Sequence, residues 1–400
     1  MAGKTTTTGH FVRMSALTRS LLLFMLLLLF ASASPSLAQL SEHIRFSGYI
    51  QGSPVRIAAE MPGATSDEIW WEYRLQQRLN LAYVSDSGFS MHWQMRTRLF
   101  AGDLVRDVPG YAGLIDTDTG LVNASWMVAR RDSWFLHHIP DRFYAEWDRG
   151  DWNIRVGRQR VNWGVNLISN PNDLFNQYSF YDFDYPERPG SDAVRVQRFL
   201  GFNSRMEVAV RPASDLEQSV AAFLYAFGAR GYDIQLMGGY YRERFVAGAG
   251  FAGDFRGAGI KGELSYYSGR EGVSSAYIAA VSVEYMFRSG MFGVIEALYN
   301  HRGGTDDFML FGATLAPDNP SLTRYQLTSQ VRYALHPLVD GSLAAIWYPD
   351  EKGAFVSPAV IGSVAQNLDI QVLGQWFAGS GDSIFSNSGR VFTASITWSF

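Results

Sequence analysis

The chain contains no cysteine, and lysine occurs only at positions 4, 261 and 352. Without cysteine there are no disulfides, no thiolate metal sites and no thiol catalysis, and an oxidising compartment poses no risk of mispairing. The scarcity of lysine leaves positive charge almost wholly to arginine, a bias that codon usage alone would also produce. Beyond residue 30 no apolar run approaches the roughly 20 residues that a helix needs to cross a bilayer. A polytopic helical membrane protein is therefore excluded. There is no basic excess either: the formal charge is −4, and no feature points to nucleic acid.

Two ends of the chain carry signals. Lys4, Arg13 and Arg19 precede the run Leu21 to Phe30, and Ser36-Leu37-Ala38 offers a small-x-small cleavage site. This is the pattern of a secretory signal peptide; the run is short for a membrane anchor and has no charged stop-transfer flank. Met14 is an alternative start. Residues 1–38 are expected to be removed, leaving 39–400 as a single domain with a charge near −7, because the leader holds three cations and no acid. At the other end, Phe392, Ala394, Ile396, Trp398 and Phe400 alternate with Thr393, Ser395, Thr397 and Ser399. One face of such a strand suits lipid and the other water.

The same period of two runs through the chain. Trp71, Tyr73, Leu75, Leu79, Leu81 and Tyr83 oppose Glu72, Arg74, Gln76, Arg78 and Asn80; Tyr325, Leu327, Val331 and Tyr333 oppose Arg324, Gln326, Thr328, Gln330 and Arg332. Read this way, the sequence holds about 18 strands, near 43–53, 69–85, 89–101, 140–149, 152–164, 193–201, 204–212, 217–228, 231–242, 245–255, 258–268, 275–288, 291–301, 322–335, 338–348, 354–365, 368–378 and 390–400. Every second connection is a short turn, such as Gly150-Asp151 or Arg256-Gly257, and the others hold all the long segments. That parity belongs to an up-and-down barrel. An open sheet would leave unpaired backbone in lipid, so closure of the last strand on the first is expected. Eighteen tilted strands give a backbone diameter of roughly 35 Å, too wide for side chains alone to fill. The fold class is thus all-β: a transmembrane antiparallel barrel behind a cleaved leader.

The segment Trp152 to Gly164 stands out. Trp152, Ile154 and Val156 share one face, but Val161 and Trp163 fall on the other. A β-bulge at or beside Gly157 would reconcile the halves and turn Arg155, Arg158 and Arg160 inward. Here Gly157-Arg158-Gln159-Arg160-Val161-Asn162-Trp163-Gly164, followed by Asn170-Pro171-Asn172-Asp173, resembles the alginate-export-type outer-membrane porins and the uncharacterised outer-membrane β-barrels related to them. The resemblance implies an 18-stranded diffusion or export channel with a basic lumen, and it makes Trp398 and Phe400 an assembly signal read by the barrel-assembly machinery. The chain departs from that picture in its lack of lysine and in later strands that read as poor in inward cations.

Candidate site residues follow from the barrel. Arg74, Arg78, Arg96, Arg98, Arg155, Arg158, Arg160 and Arg195 are expected to line the lumen, either focusing an anion-attracting field or pairing with interleaved acids such as Glu72, Glu146, Asp148 and Glu207. The 165–192 connection carries Asp173, Phe175, Tyr178, Phe180, Tyr181, Asp182, Phe183, Asp184, Tyr185 and Glu187. So many rings would expose apolar surface if left in water. The loop is expected to fold into the mouth against the arginines as a constriction. Asp182, Asp184 and Glu187 have oxygen ligands for calcium but generic spacing, so no metal and no cofactor is expected. His137 and His138 sit near Ser133 and Asp132 in sequence without a nucleophile motif, so no catalysis is expected. These readings converge on a porin-like channel in the outer membrane of a Gram-negative bacterium, meeting membrane lipid and small hydrophilic solutes, anions among them. The alternative is a substrate-specific channel for oligosaccharides or uronate polymers.

Overall fold

The computed structural model describes residues 39–59, 68–118, 120–176, 190–303, 315–380, 383–386 and 389–400; the expected leader lies outside them. Among the described residues, twenty strands form one antiparallel sheet: β1 (Gln39–Ser41), β2 (Ile44–Ala59), β3 (Glu68–Val84), β4 (Phe89–Gly102), β5 (Trp126–Arg131), β6 (Trp134–Arg149), β7 (Trp152–Gln159), β8 (Ser191–Phe199), β9 (Ser204–Arg211), β10 (Val220–Ala229), β11 (Tyr232–Tyr241), β12 (Arg244–Phe255), β13 (Ala258–Tyr267), β14 (Ala276–Met286), β15 (Phe292–Asn300), β16 (Tyr325–His336), β17 (Val339–Tyr348), β18 (Gly353–Ala365), β19 (Leu368–Gly379) and β20 (Arg390–Ser399). Two are local additions: β1 folds back on β2, and β5 pairs with the first half of β6. The other 18 form a closed up-and-down barrel, with β20 paired to β2 from Tyr49↔Ser399 to Ala58↔Arg390.

Closure is finished by the last residue. The Phe400 amide donates to the Gly48 carbonyl at 2.9 Å, and the Gly48 amide returns a 2.9 Å bond to Phe400. The Phe400 ring lies 5.6 Å from Phe46 and 5.2 Å from Trp398. A side chain on Gly48 would run into the Arg78 backbone carbonyl and meet that ring at 2.8 Å, which is why the seam needs glycine there.

Burial separates the two faces as the alternation requires. On β3, Trp71, Tyr73, Leu81 and Tyr83 are exposed while Glu72, Gln76 and Arg78 are buried. Phe223, Leu236, Val281, Ile295, Trp347, Phe392 and Ile396 extend the exposed apolar belt around the barrel. A belt of this extent is costly in water and suited to lipid. The Gly/Ala-rich strands β10 to β13 hold unbroken register with their neighbours, and the Arg230-Gly231 and Arg256-Gly257 turns have positive φ at both residues, as two-residue hairpin turns require.

Several boundaries differ from the sequence reading. β2 continues to Ala59, β6 starts at Trp134, and β7 stops at Gln159 rather than 164. The expected bulge at Gly157 is absent: Gly157 pairs with Tyr144 and with Ala193 in continuous ladders. It adopts φ 120° instead, and a Cβ there would lie 2.9 Å from the Tyr144 Cα. The face change occurs one strand earlier. Gln94 pairs with Arg142 but Met95 pairs with Pro140, leaving Asp141 as the extra residue. Pro140 has no amide to give the ladder, and Asp141 is drawn inward to Arg78 and Arg96.

Among the described residues four segments fold inward, where one was expected. Between β4 and β5, the short helices α1 (Asp103–Asp107) and α2 (Tyr111–Ile115) bring Leu104, Tyr111 and Ala112 against Val55, Ile57, Trp70, Phe100 and Phe135. Leu315 and Leu322 from the β15–β16 connection and Phe385 from the β19–β20 connection cover Ile346, Tyr348 and Phe355 on β17 and β18. The fourth segment follows β7.

Candidate functional site

After Gln159 the chain leaves the wall and crosses the inner face of the barrel. Trp163 Nε1 donates to Glu207 of β9 at 2.7 Å, and Gln235 of β11 donates to the Trp163 carbonyl. The amides of Val165 and Asn166 donate to one oxygen of Glu263 on β13 at 2.6 and 2.7 Å. Asn166 also accepts from Ser282 of β14 at 3.0 Å. The Ser169 amide reaches Glu296 of β15 at 2.8 Å. The chain then turns back. Ser265 of β13 donates to the Pro171 carbonyl at 2.9 Å, the Asn172 amide takes the second Glu263 oxygen at 2.9 Å, and Ser191 of β8 bonds the Phe175 carbonyl. Asn176 Oδ1 accepts the Val161 amide at 2.9 Å and ties the outgoing and returning limbs together.

This crossing needs room, and the wall supplies it. Ala209, Ala222, Ala276 and Ala280 are buried under the segment with Val161, Trp163, Leu174 and Phe175. A Cβ on Gly248 would fall on Met237 and on Asn172. The small residues of β9 to β14 are therefore the floor on which the segment lies. Buried backbone amides must find acceptors, and Glu207, Glu263 and Glu296 are buried acceptors placed at the crossing points.

The described half of the loop, 160–176, lies on β9 to β15 and presents N–H donors to their carboxylates. Asp173 is 4% exposed, and Phe175 packs edge-on to Trp163 at 5.1 Å. Tyr178, Tyr181, Asp182 and Asp184, with Phe180, Phe183, Tyr185 and Glu187, lie outside the described residues.

The arginines of β3 to β8 mostly meet acids. Arg74 pairs with Glu72, which also accepts the Tyr111 hydroxyl at 2.6 Å. Arg78 bonds Asp141 and, at 2.9 Å, Gln94; Arg96 lies 3.8 Å from Asp141. Arg155 pairs with Glu146 at 2.6 Å, 4.6 Å over the Tyr144 ring. Arg98 donates to His137 Nδ1 at 3.2 Å and stacks 5.2 Å over Phe100, and Arg195 donates to Asn153. Arg158 has the strand parity of the outer face but is buried. Asp118 and Asp192, both at 2.8 Å, and the carbonyls of Pro140 and Val122 hold it. It clasps the 118–122 connection to the wall. Arg160 opens the crossing segment and is not in a strand. The sequence reading missed the cations of the later strands: Arg244 faces inward on β12, beside Arg242, Arg270 and Arg302.

His137 meets neither Ser133 nor Asp132. Its Nε2 is 2.7 Å from Ser125 Oγ, and Ser125 donates to Asp116 at 2.6 Å. The three residue types suggest a hydrolytic triad, but the order of the bonds is wrong for one. Arg98 occupies Nδ1 as a donor, so Nε2 carries the proton and donates to Ser125. A general base must take the serine proton, not offer its own. The cluster fastens the loop after α2 to β4 and β6. Among the described residues no group of three or more metal-ligating side chains occurs.

No family model matches the chain, and no curated protein matches it. Solved structures do. OccAB4 of Acinetobacter baumannii is 8% identical, covering 92% of this chain and 100% of its own, with a TM-score of 0.53. A triple mutant of the Rhodopseudomonas blastica porin is 12% identical over 89% of this chain and 100% of its own, with a TM-score of 0.47. At such identity the likeness to OccAB4 bears on fold: the chain is a porin-like barrel. The resemblance to alginate-export-type porins has no family match behind it.

Proposed function

We propose that this barrel is an outer-membrane channel for passive diffusion of small hydrophilic solutes, anions among them, through a lumen narrowed by the 160–176 crossing. The observation that carries the reading is the division of faces: apolar residues such as Trp71 and Ile295 lie outside, and Glu72, Arg78, Glu263 and Glu296 lie inside. The inward Arg74 and Arg155 side chains remain 18% and 20% exposed, which leaves that face open to water. We assign Arg98, Arg155 and Arg195 to the passage, because the crossing segment lies against the opposite wall. Asp173 and Phe175 belong to the constriction, and Trp398 and Phe400 to assembly. Residues 1–38 serve as the leader that delivers the chain to the outer membrane.

Single-channel recording in planar bilayers tests this. Discrete conductance steps with a preference for anions support it; a folded barrel that never conducts refutes it. The inward segments also favour a second reading, a substrate-specific channel for oligosaccharides or uronate polymers, since a narrowed lumen selects more strongly than an open one. Block of the current by an oligouronate would favour that reading, and an unaltered current would remove it.

A further inference from the structure

Away from the crossing segment, at the loop end of β11 and β12, a cavity of about 160 Å³ is bordered by Tyr241, Arg242, Arg244, Arg270, Arg302 and Asp318. Four guanidiniums thus gather around one carboxylate. Arg244 and Arg302 both donate to the same oxygen of Asp318, at 2.7 and 2.9 Å. Arg270 is paired with Glu243. Arg242 has no carboxylate partner among the described residues; it lies 5.4 Å over the Tyr241 ring. Among the described residues, two acids face four arginines, an excess of positive charge. Two donors in the lining also lack acceptors among the described residues: the Tyr241 hydroxyl, in a residue 1% exposed, and Arg242 Nε.

The backbone is bent to make this arrangement. Arg242 and Glu243 form the turn from β11 to β12 with φ 48° and 64°. The Arg230-Gly231 and Arg256-Gly257 turns each place a glycine in their second position, which relieves such strain. The Arg242-Glu243 turn has none. Strain held without relief concentrates where a ligand is bound.

We propose that this cavity binds a compact oxyanion of the phosphate class, free or carried as a monoester on a larger solute. Arginine forks match the oxygens of such a group and remain charged at any physiological pH. Arg270 and Arg302 supply the accessible donors. Arg244 is buried and donates to the carbonyls of Ser268 and Ser274 at 2.7 and 3.1 Å, so it holds the floor. Tyr241 and Arg244 are inward-facing residues of their strands, so the cavity opens to the water of the mouth and not to lipid.

The site does not depend on conduction, so its test does not either. The full chain, folded in detergent, is titrated with inorganic phosphate and with pyrophosphate by calorimetry at low salt. One saturable site is expected, weakened at least tenfold in Arg270→Gln and in Arg302→Gln, with the barrel's heat-modifiable gel mobility unchanged. Absence of saturable binding, or wild-type affinity in both variants, overturns the proposal. Competition by phosphatidylglycerol micelles would assign the site to a lipid headgroup and overturn its assignment to a water-borne anion.

Discussion

Glu263→Ala should free the crossing segment while leaving the barrel closed. Glu263 accepts three amides, from Val165, Asn166 and Asn172, at 2.6, 2.7 and 2.9 Å. Hydrogen bonds to a charged acceptor contribute about 1.5–3 kcal/mol each, and their sum is not additive. Removing the carboxylate also relieves its desolvation, which offsets part of the loss. A net loss of about 3–4 kcal/mol in docking follows, or a shift of roughly 10² to 10³ in the ratio of released to docked segment. The wall survives, because β13 pairs with β12 and β14 through its backbone, and substitutions on the lumen face cost little. Glu263→Gln should be intermediate. Its oxygen still serves Val165 and Asn166, while its amide group opposes the Asn172 amide. Single-channel recording should show higher mean conductance and more open-channel noise in the order Ala, Gln, wild type. Protease should cut within 160–176 in the same order. A folded Glu263→Ala barrel with wild-type conductance, noise and protease resistance would refute the assignment of this carboxylate as the anchor.

Asp141→Ala leaves Arg78, 2% exposed, without its carboxylate, and unpaired buried charge costs about 3–5 kcal/mol; the urea midpoint in liposomes should fall, and an unchanged midpoint would show that the pair braces nothing. Arg98→Ser combined with Arg195→Ser should move the reversal potential toward cations in a salt gradient, since the hydrogen-bond partners described for these two guanidiniums, His137 and Asn153, are neutral; a fixed potential in a folded barrel counts against a role in selectivity. Deleting Phe400 removes two seam hydrogen bonds and two ring contacts, so the folded fraction should fall further in cells than on detergent refolding; equal losses would contradict an assembly role.

The wall of the barrel was legible and its contents only partly so. Closure follows from alternation, because a period of two with one apolar face fixes which side meets lipid. Alternation cannot tell lipid from protein interior, however, since both are apolar. Val161 and Trp163 therefore read as a strand whose face had switched, which suggested a bulge at Gly157. In fact they are buried because the chain has left the wall. The true face change had a local signal in Pro140, a residue that cannot donate within a ladder. The docking of residues 160–176 on β9 to β15 had little signal in the sequence, because backbone amides carry no letter, and they are what Glu263 and Glu296 hold, while Glu207 holds the Trp163 indole. The usable signal was the run of alanine and glycine on the inner face of β9 to β14. It read as weak strand, and it is the space the segment occupies.

This distribution of charge bears on what a passing solute meets. The formal charge of the chain is negative, yet charges farther than about 8–10 Å are screened at physiological salt. Only groups beside the passage count. Glu207, Glu263 and Glu296 are buried beneath the crossing segment, which donates to at least one oxygen of each. On the facing wall Glu72, Asp141 and Glu146 cancel Arg74, Arg78 and Arg155 in part, while the hydrogen-bond partners described for Arg98 and Arg195, His137 and Asn153, carry no negative charge. The acids are thus withdrawn from the passage more completely than the arginines, and a chain of net negative charge is expected to favour anions. Releasing the segment by Glu263→Ala should bring the carboxylates of β9 and β15 back into water. Anion preference should then fall as conductance rises. If the two changed independently, the field in the passage would have to come from residues other than these two walls.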